Sequence, residues 1–405
     1  MADLREGLEA VEIPGASESE DRAWRLLSAE FEHRHERTRA RRLPAAARRA
    51  AAGLAALLAV GALMLSPAGA AVREWIGEAI DVGRPDPRPA LRDLPAPGSL
   101  LVENGRTAIV VREDGRRRVV GDFRQVAWSP HGLYVAAATG DGLEAVTASG
   151  EVRWSLGRHA VADPAWSPNE GFRVAYRSGE QVRVVWGDGT NDARVDSSAS
   201  VAPAWQPRTG SRNVLAYVDR YGIVRTRDVD TGARIARAPI TAKMPIGLDW
   251  TRDGTRLMVL YPDRVRVVDD SGHEVWSTRF PNGREAIGGT WVPGTEAMNV
   301  VLRQRGGSAV SHVVFVARRY DDVVKRSVFT GSGRFRAPVA SPDGRWLIVG
   351  WPKADQWLFI GGSSRTRIDA VANIRRQFGA GRGARFPAVA GWCCQSRESP
   401  PDPAP

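Results

Sequence analysis

One phrase constrains this chain more than any other feature. Ala127-Trp128-Ser129-Pro130 returns as Ala165-Trp166-Ser167-Pro168, Ala204-Trp205-Gln206-Pro207, Asp249-Trp250-Thr251-Arg252, Thr290-Trp291-Val292-Pro293 and, with its Trp lost, Val339-Ala340-Ser341-Pro342. A turn and an apolar run follow the copies: His131-Gly132 before Leu133 to Ala137, Asp253-Gly254 before Leu257 to Leu260, Asp343-Gly344 before Trp346 to Val349. Self-similarity at a period of about 40 residues means one supersecondary unit used many times, so 405 residues that could hold several domains can instead form one closed body.

The unit is a small antiparallel sheet. After Trp166, the runs Phe172 to Tyr176 and Gln181 to Trp186 read as strands, and Gly187-Asp188-Gly189 as a hairpin turn before Ala193 to Asp196. After Trp250, the same order gives Leu257 to Leu260, Arg264 to Val268, the turn Asp270-Ser271-Gly272, and Glu274 to Ser277. Four short strands in about 40 residues make a β-propeller blade. Three unclaimed strands precede the first phrase, at Leu100 to Glu103, Thr107 to Val111 and Arg117 to Val120. One unclaimed strand, Phe386 to Cys393, follows the last repeat. Joined, they make a composite blade that leaves no open edge, so the expectation is an all-β, seven-bladed propeller over residues 99–395, with a six-bladed ring as the alternative. Trp128, Trp166, Trp205, Trp250 and Trp291 each open an inner strand and are expected to fill the wedge between blades.

Trp128-Ser129-Pro130-His131-Gly132, and more fully Ala340-Ser341-Pro342-Asp343-Gly344-Arg345-Trp346-Leu347, resembles the TolB-type propeller repeat, with its Trp-Ser-Pro-Asp-Gly consensus and following apolar strand. The likeness covers most of residues 99–395. It implies a fold and little about function, because TolB-like propellers serve as binding scaffolds, enzyme companions and parts of envelope machines. The layout also resembles single-pass actinobacterial proteins with an external propeller, some encoded beside extracytoplasmic-function sigma factors. Departures occur at Ala340, at Thr251-Arg252, and in an insertion that lengthens the blade opening at Trp291.

The first hundred residues read differently. Within residues 1–49, Trp24, Leu27 and Phe31 fall on one face of a short helix, a candidate docking helix for a cytoplasmic partner. Arg34, Arg37, Arg39, Arg41, Arg42, Arg48 and Arg49 then precede an uncharged run, Ala50 to Val72. Its 23 residues give roughly 35 Å of helix, enough to cross a hydrocarbon core about 30 Å thick. The Arg cluster places the N-terminus in the cytoplasm and the remainder outside a plasma membrane. Ala68-Gly69-Ala70 resembles a cleavage site, but so long an N-region favours an uncleaved anchor. Residues 73–98 form a juxtamembrane turn and a Pro-rich linker that acts as a stiff spacer, and 396–405 a disordered tail.

Catalytic signatures are scarce. The chain has no Gly-x-Ser-x-Gly elbow, no His-Glu-x-x-His helix and no Gly-Lys-Ser/Thr phosphate loop, and its six His are scattered. No catalytic, cofactor or metal residue is therefore assigned, and no cofactor is expected. Cys393 and Cys394 are adjacent and read as inert, or as one pairing between chains, more readily than as a vicinal disulfide. Residues 1–72 hold ten Arg against ten Asp and Glu, so the net charge of +11 belongs to the rest, read first as codon bias and a solvated Arg-rich surface. Arg375, Arg376, Arg382 and Arg385 surround a Gly-rich stretch and form a candidate loop for an anionic group. The expected function is a membrane-anchored, non-enzymatic binding or scaffold module for a protein or anionic envelope ligand, with no nucleic acid expected. The alternatives are a transmembrane, anti-sigma-like regulator with a cytoplasmic partner, and an envelope hydrolase with an unrecognised site.

Overall fold

The second strand of each blade explains why the sequence closes into a ring. In a strand, neighbouring side chains point to opposite faces. Here each second strand is apolar on both: Val135 and Ala136 in blade 1, Val174 and Ala175 in blade 2, Leu215 and Ala216 in blade 3, each pair wholly buried. One member of each pair packs against the preceding blade and the other against the following one. Val135 joins a core cluster with Leu101, Ala136 one with Val174, and Ala175 one with Leu215. Apolar burial, worth about 25 cal/mol per Å², is thus spread over seven clusters, one per blade interface.

The computed structural model describes residues 87–394 apart from 170–171, 208–211, 239–242, 307–308, 321, 362–365 and 381–384. It contains seven four-stranded antiparallel sheets, whose consecutive inner strands touch around the ring. The inner strands are Gln125–Trp128, Val161–Trp166, Ala204–Trp205, Gly247–Trp250, Arg284–Trp291, Val339–Ala340 and Ala388–Cys393. The last pairs with Ser99–Glu103, which pairs with Ala108–Val111 and that with Arg117–Gly121, so the two ends of the repeat region share blade 7. Seven blades, and the composite closure, are what the strand count implied. The insertion after Trp291 lengthens strands rather than adding any: the second to fourth strands of blade 5 have 8, 10 and 11 residues.

Residues 88–98 depart from the stand-off expected of them. The Arg88 backbone bonds Ala370 and Ala372 at the outer edge of blade 6, and Leu91, Leu94 and Ala96 are buried against blades 6 and 7. This bridge covers the end of that edge. The span at 50–72 lies outside the described residues. Among those described, no helix is long and apolar enough to cross a membrane.

Candidate functional site: two mouths of one ring

The recurrent phrase is a turn-making device. In blades 1, 4 and 6 the Ser or Thr hydroxyl after the inner strand accepts from a backbone N–H five residues on: Tyr134 N to Ser129, Arg256 N to Thr251 and Trp346 N to Ser341, each 3.0 Å; in blade 2 Ser167 instead accepts from Asn169 N at 3.2 Å and donates to Asn213 Oδ1 at 3.0 Å. Thr251 and Ser341 in turn donate to Asp253 and Asp343 at 2.6 and 2.5 Å. These bonds satisfy backbone and side chain together, so the turn aspartates are explained without a metal. Gly254, at φ +72, is required because a Cβ there would strike the Pro207 carbonyl of the neighbouring blade. Thr251 thus replaces Ser without loss of the turn.

Trp166, Trp205, Trp250 and Trp291 are buried at the ends of their inner strands, and Trp128 is half-buried. Two reach across the blade gap: Trp205 Nε1 donates to the Ala165 carbonyl and Trp291 Nε1 to the Asp249 carbonyl, both at 2.9 Å. The indole nitrogens of Trp128, Trp166, Trp250 and Trp392 are buried with no partner among the described residues. Asp249 fills the Ala position of its phrase. Its carboxylate accepts from Thr290 Oγ1 and Trp291 N at 3.1 Å, and burial still pushes its pKa up to about 6.

Blade 7 carries a seventh copy of the phrase that sequence reading passed over. Gly391-Trp392-Cys393-Cys394 aligns with Ala-Trp-Ser-Pro, and Cys393 and Cys394 are joined in a disulfide, contrary to the expectation of inert or interchain thiols. The signal was the Trp one residue before the pair. Both sulfurs lie against the blade 1 turn, with Cys394 Sγ 3.1 Å from the Pro130 carbonyl. This turn mouth encloses about 740 Å³, lined by Trp128, Trp166, Trp392, Arg252, Asp343 and the cysteines.

The opposite ends of the inner strands, where connectors arrive from the outer strands, form the second mouth. Glu103 pairs with Ala388 and Ser99 with Cys393, so Glu103 and the cysteines mark opposite ends of blade 7. A cavity of about 830 Å³ opens at this connector mouth, lined by Arg303, Arg334, Arg336, Lys353 and Arg375, with Glu103 as its acidic member and Ile287, Phe335 and Val389 among its apolar walls. Phe335 is 2% exposed and packs on Phe329 and Trp351, which anchors the segment that carries Arg334 and Arg336. Gly333 and Gly350 leave room for the stems of Lys353 and Arg336. Arg303 is paired with Glu285, and Arg375 stands 3.9 Å from Asp355 and 5.2 Å from the Phe386 ring centre. Arg334, Arg336 and Lys353 have no ion pair among the described residues. Cations gathered on a concave, partly apolar wall raise the local concentration of anions.

The sequence-derived Arg loop is therefore divided. Arg375 and Arg376 share the short helix Ile374–Gln377, and only Arg375 lines the cavity. Arg385 lies against Gly105 and acts on Glu103 through its charge. Arg382, like Trp24, Leu27 and Phe31, lies outside the described residues. The cavity's other cations come from blades 5 and 6, far from Arg375 in sequence. Gly331-Ser332-Gly333-Arg334-Phe335-Arg336 was the available signal, since extended alternation puts both arginines opposite the buried Phe. Among the described residues no cluster of His, Cys, Asp and Glu could hold a metal.

No protein-family model matches the chain, and no curated protein does. Among solved structures, the C-terminal WD40 domain of Sif2 is similar at 13% identity and a TM-score of 0.51, over 68% of this chain and 82% of that one. Kluyveromyces lactis Hsv2p matches at 13% and 0.49, over 70% and 96%. Kuenenia stuttgartiensis hydrazine synthase matches at 12% and 0.48, over 58% and 76%. At such identities the likeness shows the fold alone: a seven-bladed β-propeller with WD40 propellers among its structural neighbours.

Proposed function

We propose that this chain is a non-enzymatic binding module whose propeller, of the TolB-like kind, is held outside the plasma membrane by a span at 50–72 and captures an anionic partner at its connector mouth. The observation that carries the reading is the cavity lined by Arg334, Arg336 and Lys353, three cations with no ion pair among the described residues. The apolar run and the Arg cluster before it support the anchor. A wall polymer or acidic protein segment would supply the anionic group, and charge-assisted hydrogen bonds from the arginines would hold it.

The test is retention of the full-length protein, in lipid nanodiscs, on immobilised poly(glycerol phosphate). The wild type is expected to be retained, and the Arg334→Ser, Arg336→Ser, Lys353→Ser variant to elute freely; equal retention of the two would overturn the assignment. The Trp24, Leu27 and Phe31 face favours a second reading, in which the anchor passes an external signal to a cytoplasmic partner such as a sigma factor. Failure of the full-length protein to retain any such factor would count against it.

A further inference from the structure

We infer that the connector-mouth cavity is a site for an amphiphilic anion, an apolar group bearing one negatively charged head, and that its binding is coupled to proton uptake by Glu103. The inference rests on the cavity reading above and adds the class of ligand and its proton linkage.

The ligand class follows from the walls. The volume of about 830 Å³ exceeds what a small inorganic ion fills. Ile287, Phe335 and Val389 offer apolar surface beside the cations, so a ligand with an apolar arm buries more than a bare anion does.

The linkage follows from the position of Glu103. Its side chain lines the same cavity as Arg336 and Lys353, an acid among five cations and apolar walls. The charged groups around it come from three directions. Arg385 on the connector before the closing strand and Arg336 before the inner strand of blade 6 favour its ionised form. Asp163 on the inner strand of blade 2 opposes it. Asp163 is itself held by Arg177 at 2.6 Å and bonded by Gln125. Burial outweighs the hydrogen bond from the Val126 backbone and the charges of the two arginines, and raises the Glu103 pKa to about 7. Among the described residues no histidine lines the cavity. An entering anion is attracted by the cations and repelled by ionised Glu103, whereas protonated Glu103 presents an O–H donor in place of that repulsion. Anion and proton therefore bind together, and each raises the affinity for the other by the same factor.

The probe must keep its own charge, so octanesulfonate suits the test, with inorganic sulfate as the arm lacking an apolar group. Calorimetric titration of the full-length protein in nanodiscs at about pH 6 and about pH 8.5 should give a Kd about tenfold weaker at the higher pH. Glu103→Gln should bind tightly at both, and Glu103→Asp should restore the pH dependence. Arg336→Ser with Lys353→Ser should weaken binding at both, and sulfate should bind about tenfold more weakly than octanesulfonate. Wild-type affinity that is equal at the two pH values, while the Arg336 and Lys353 changes still weaken it, overturns the proton linkage and leaves the cavity in place. Sulfate binding as tightly as octanesulfonate overturns the ligand class. Absence of binding by either probe overturns the cavity reading itself.

Discussion

The two mouths are built from opposite ends of the same inner strands, yet they obey different rules. At the turn mouth the same parts recur: a Trp at the end of every inner strand but that of blade 6, a hydroxyl closing the turns of blades 1, 4 and 6, and a Gly where a neighbouring blade presses in. At the connector mouth nothing repeats. Its cations arrive from four unlike elements: Arg303 from the second strand of blade 5, Arg334 and Arg336 from the segment before blade 6, Lys353 from the turn after that blade's second strand, and Arg375 from the helix leading to the closing strand. Repetition serves closure, because nearly every interface is filled by the same wedge. Recognition has no such need, so the end released from the repeat is where cations gather, and Arg334, Arg336 and Lys353 among them have no ion pair among the described residues. The contrast teaches that in such a ring the informative residues are those the repeat does not specify.

The largest test of this division removes a wedge. Trp205→Ala deletes a buried indole between blades 2 and 3 together with its bond to the Ala165 carbonyl, and should cost about 3–5 kcal/mol in urea unfolding. A loss below about 1 kcal/mol would mean that the turn mouth is not the structural end.

Next comes pH. Glu103 has a folded-state pKa near 7 against an unfolded value near 4.5, so between these values the folded protein holds more protons than the unfolded chain. Stability therefore falls as pH rises through that window, by up to roughly 3 kcal/mol, and levels off above it. Glu103→Gln should abolish this slope and leave the variant more stable than the wild type at about pH 8. Asp249, raised to about 6 by burial, contributes in the same direction over a lower window. His312 opposes both. Burial lowers its pKa to about 4, so its contribution is lost as pH falls from 6.5 toward that value. A stability profile rising from about pH 5 to about pH 7.5 in wild type and Glu103→Gln alike would contradict the assignment.

A smaller effect separates blades that look alike in sequence. Trp205→Phe removes an indole N–H that donates across the gap, whereas Trp166→Phe removes one with no partner among the described residues. The first should cost about 1 kcal/mol more than the second by thermal unfolding. Equal costs would show that burial alone fixes the wedge.

Legibility follows the same division. The blades and their turns could be read because they depend on local spacing, strand alternation and Gly at the reversals, and the closure because the unclaimed strands at the two ends add up to one blade; the hydroxyl that closes the turns could be seen only in the structure. The Cys393-Cys394 disulfide was missed because the final phrase has no following strand to identify it as a copy. The cavity was legible only in part. Arg375 stood out within its Gly-rich stretch, but Arg334, Arg336 and Lys353 join it only once blades 5, 6 and 7 are side by side. No local pattern encodes that meeting. Glu103 was read simply as the end of a strand, since its shifted proton affinity arises from burial that only the closed ring creates.

The smallest expected change is also the sharpest. Arg334→Ser, Arg336→Ser and Lys353→Ser together should leave stability within about 0.5 kcal/mol of wild type, because exposed cations outside any ion pair among the described residues contribute little to folding and repel one another. The same three changes should abolish retention on an anionic polymer. A residue that matters for packing loses both properties when replaced, as Trp205 should. A residue placed for recognition loses one. If the triple variant unfolds several kcal/mol earlier, the arginines and lysine hold the connectors in place, and the connector mouth is structural like the other end. If it folds as before and no longer binds, the ring has one end that closes it and one that meets its partner.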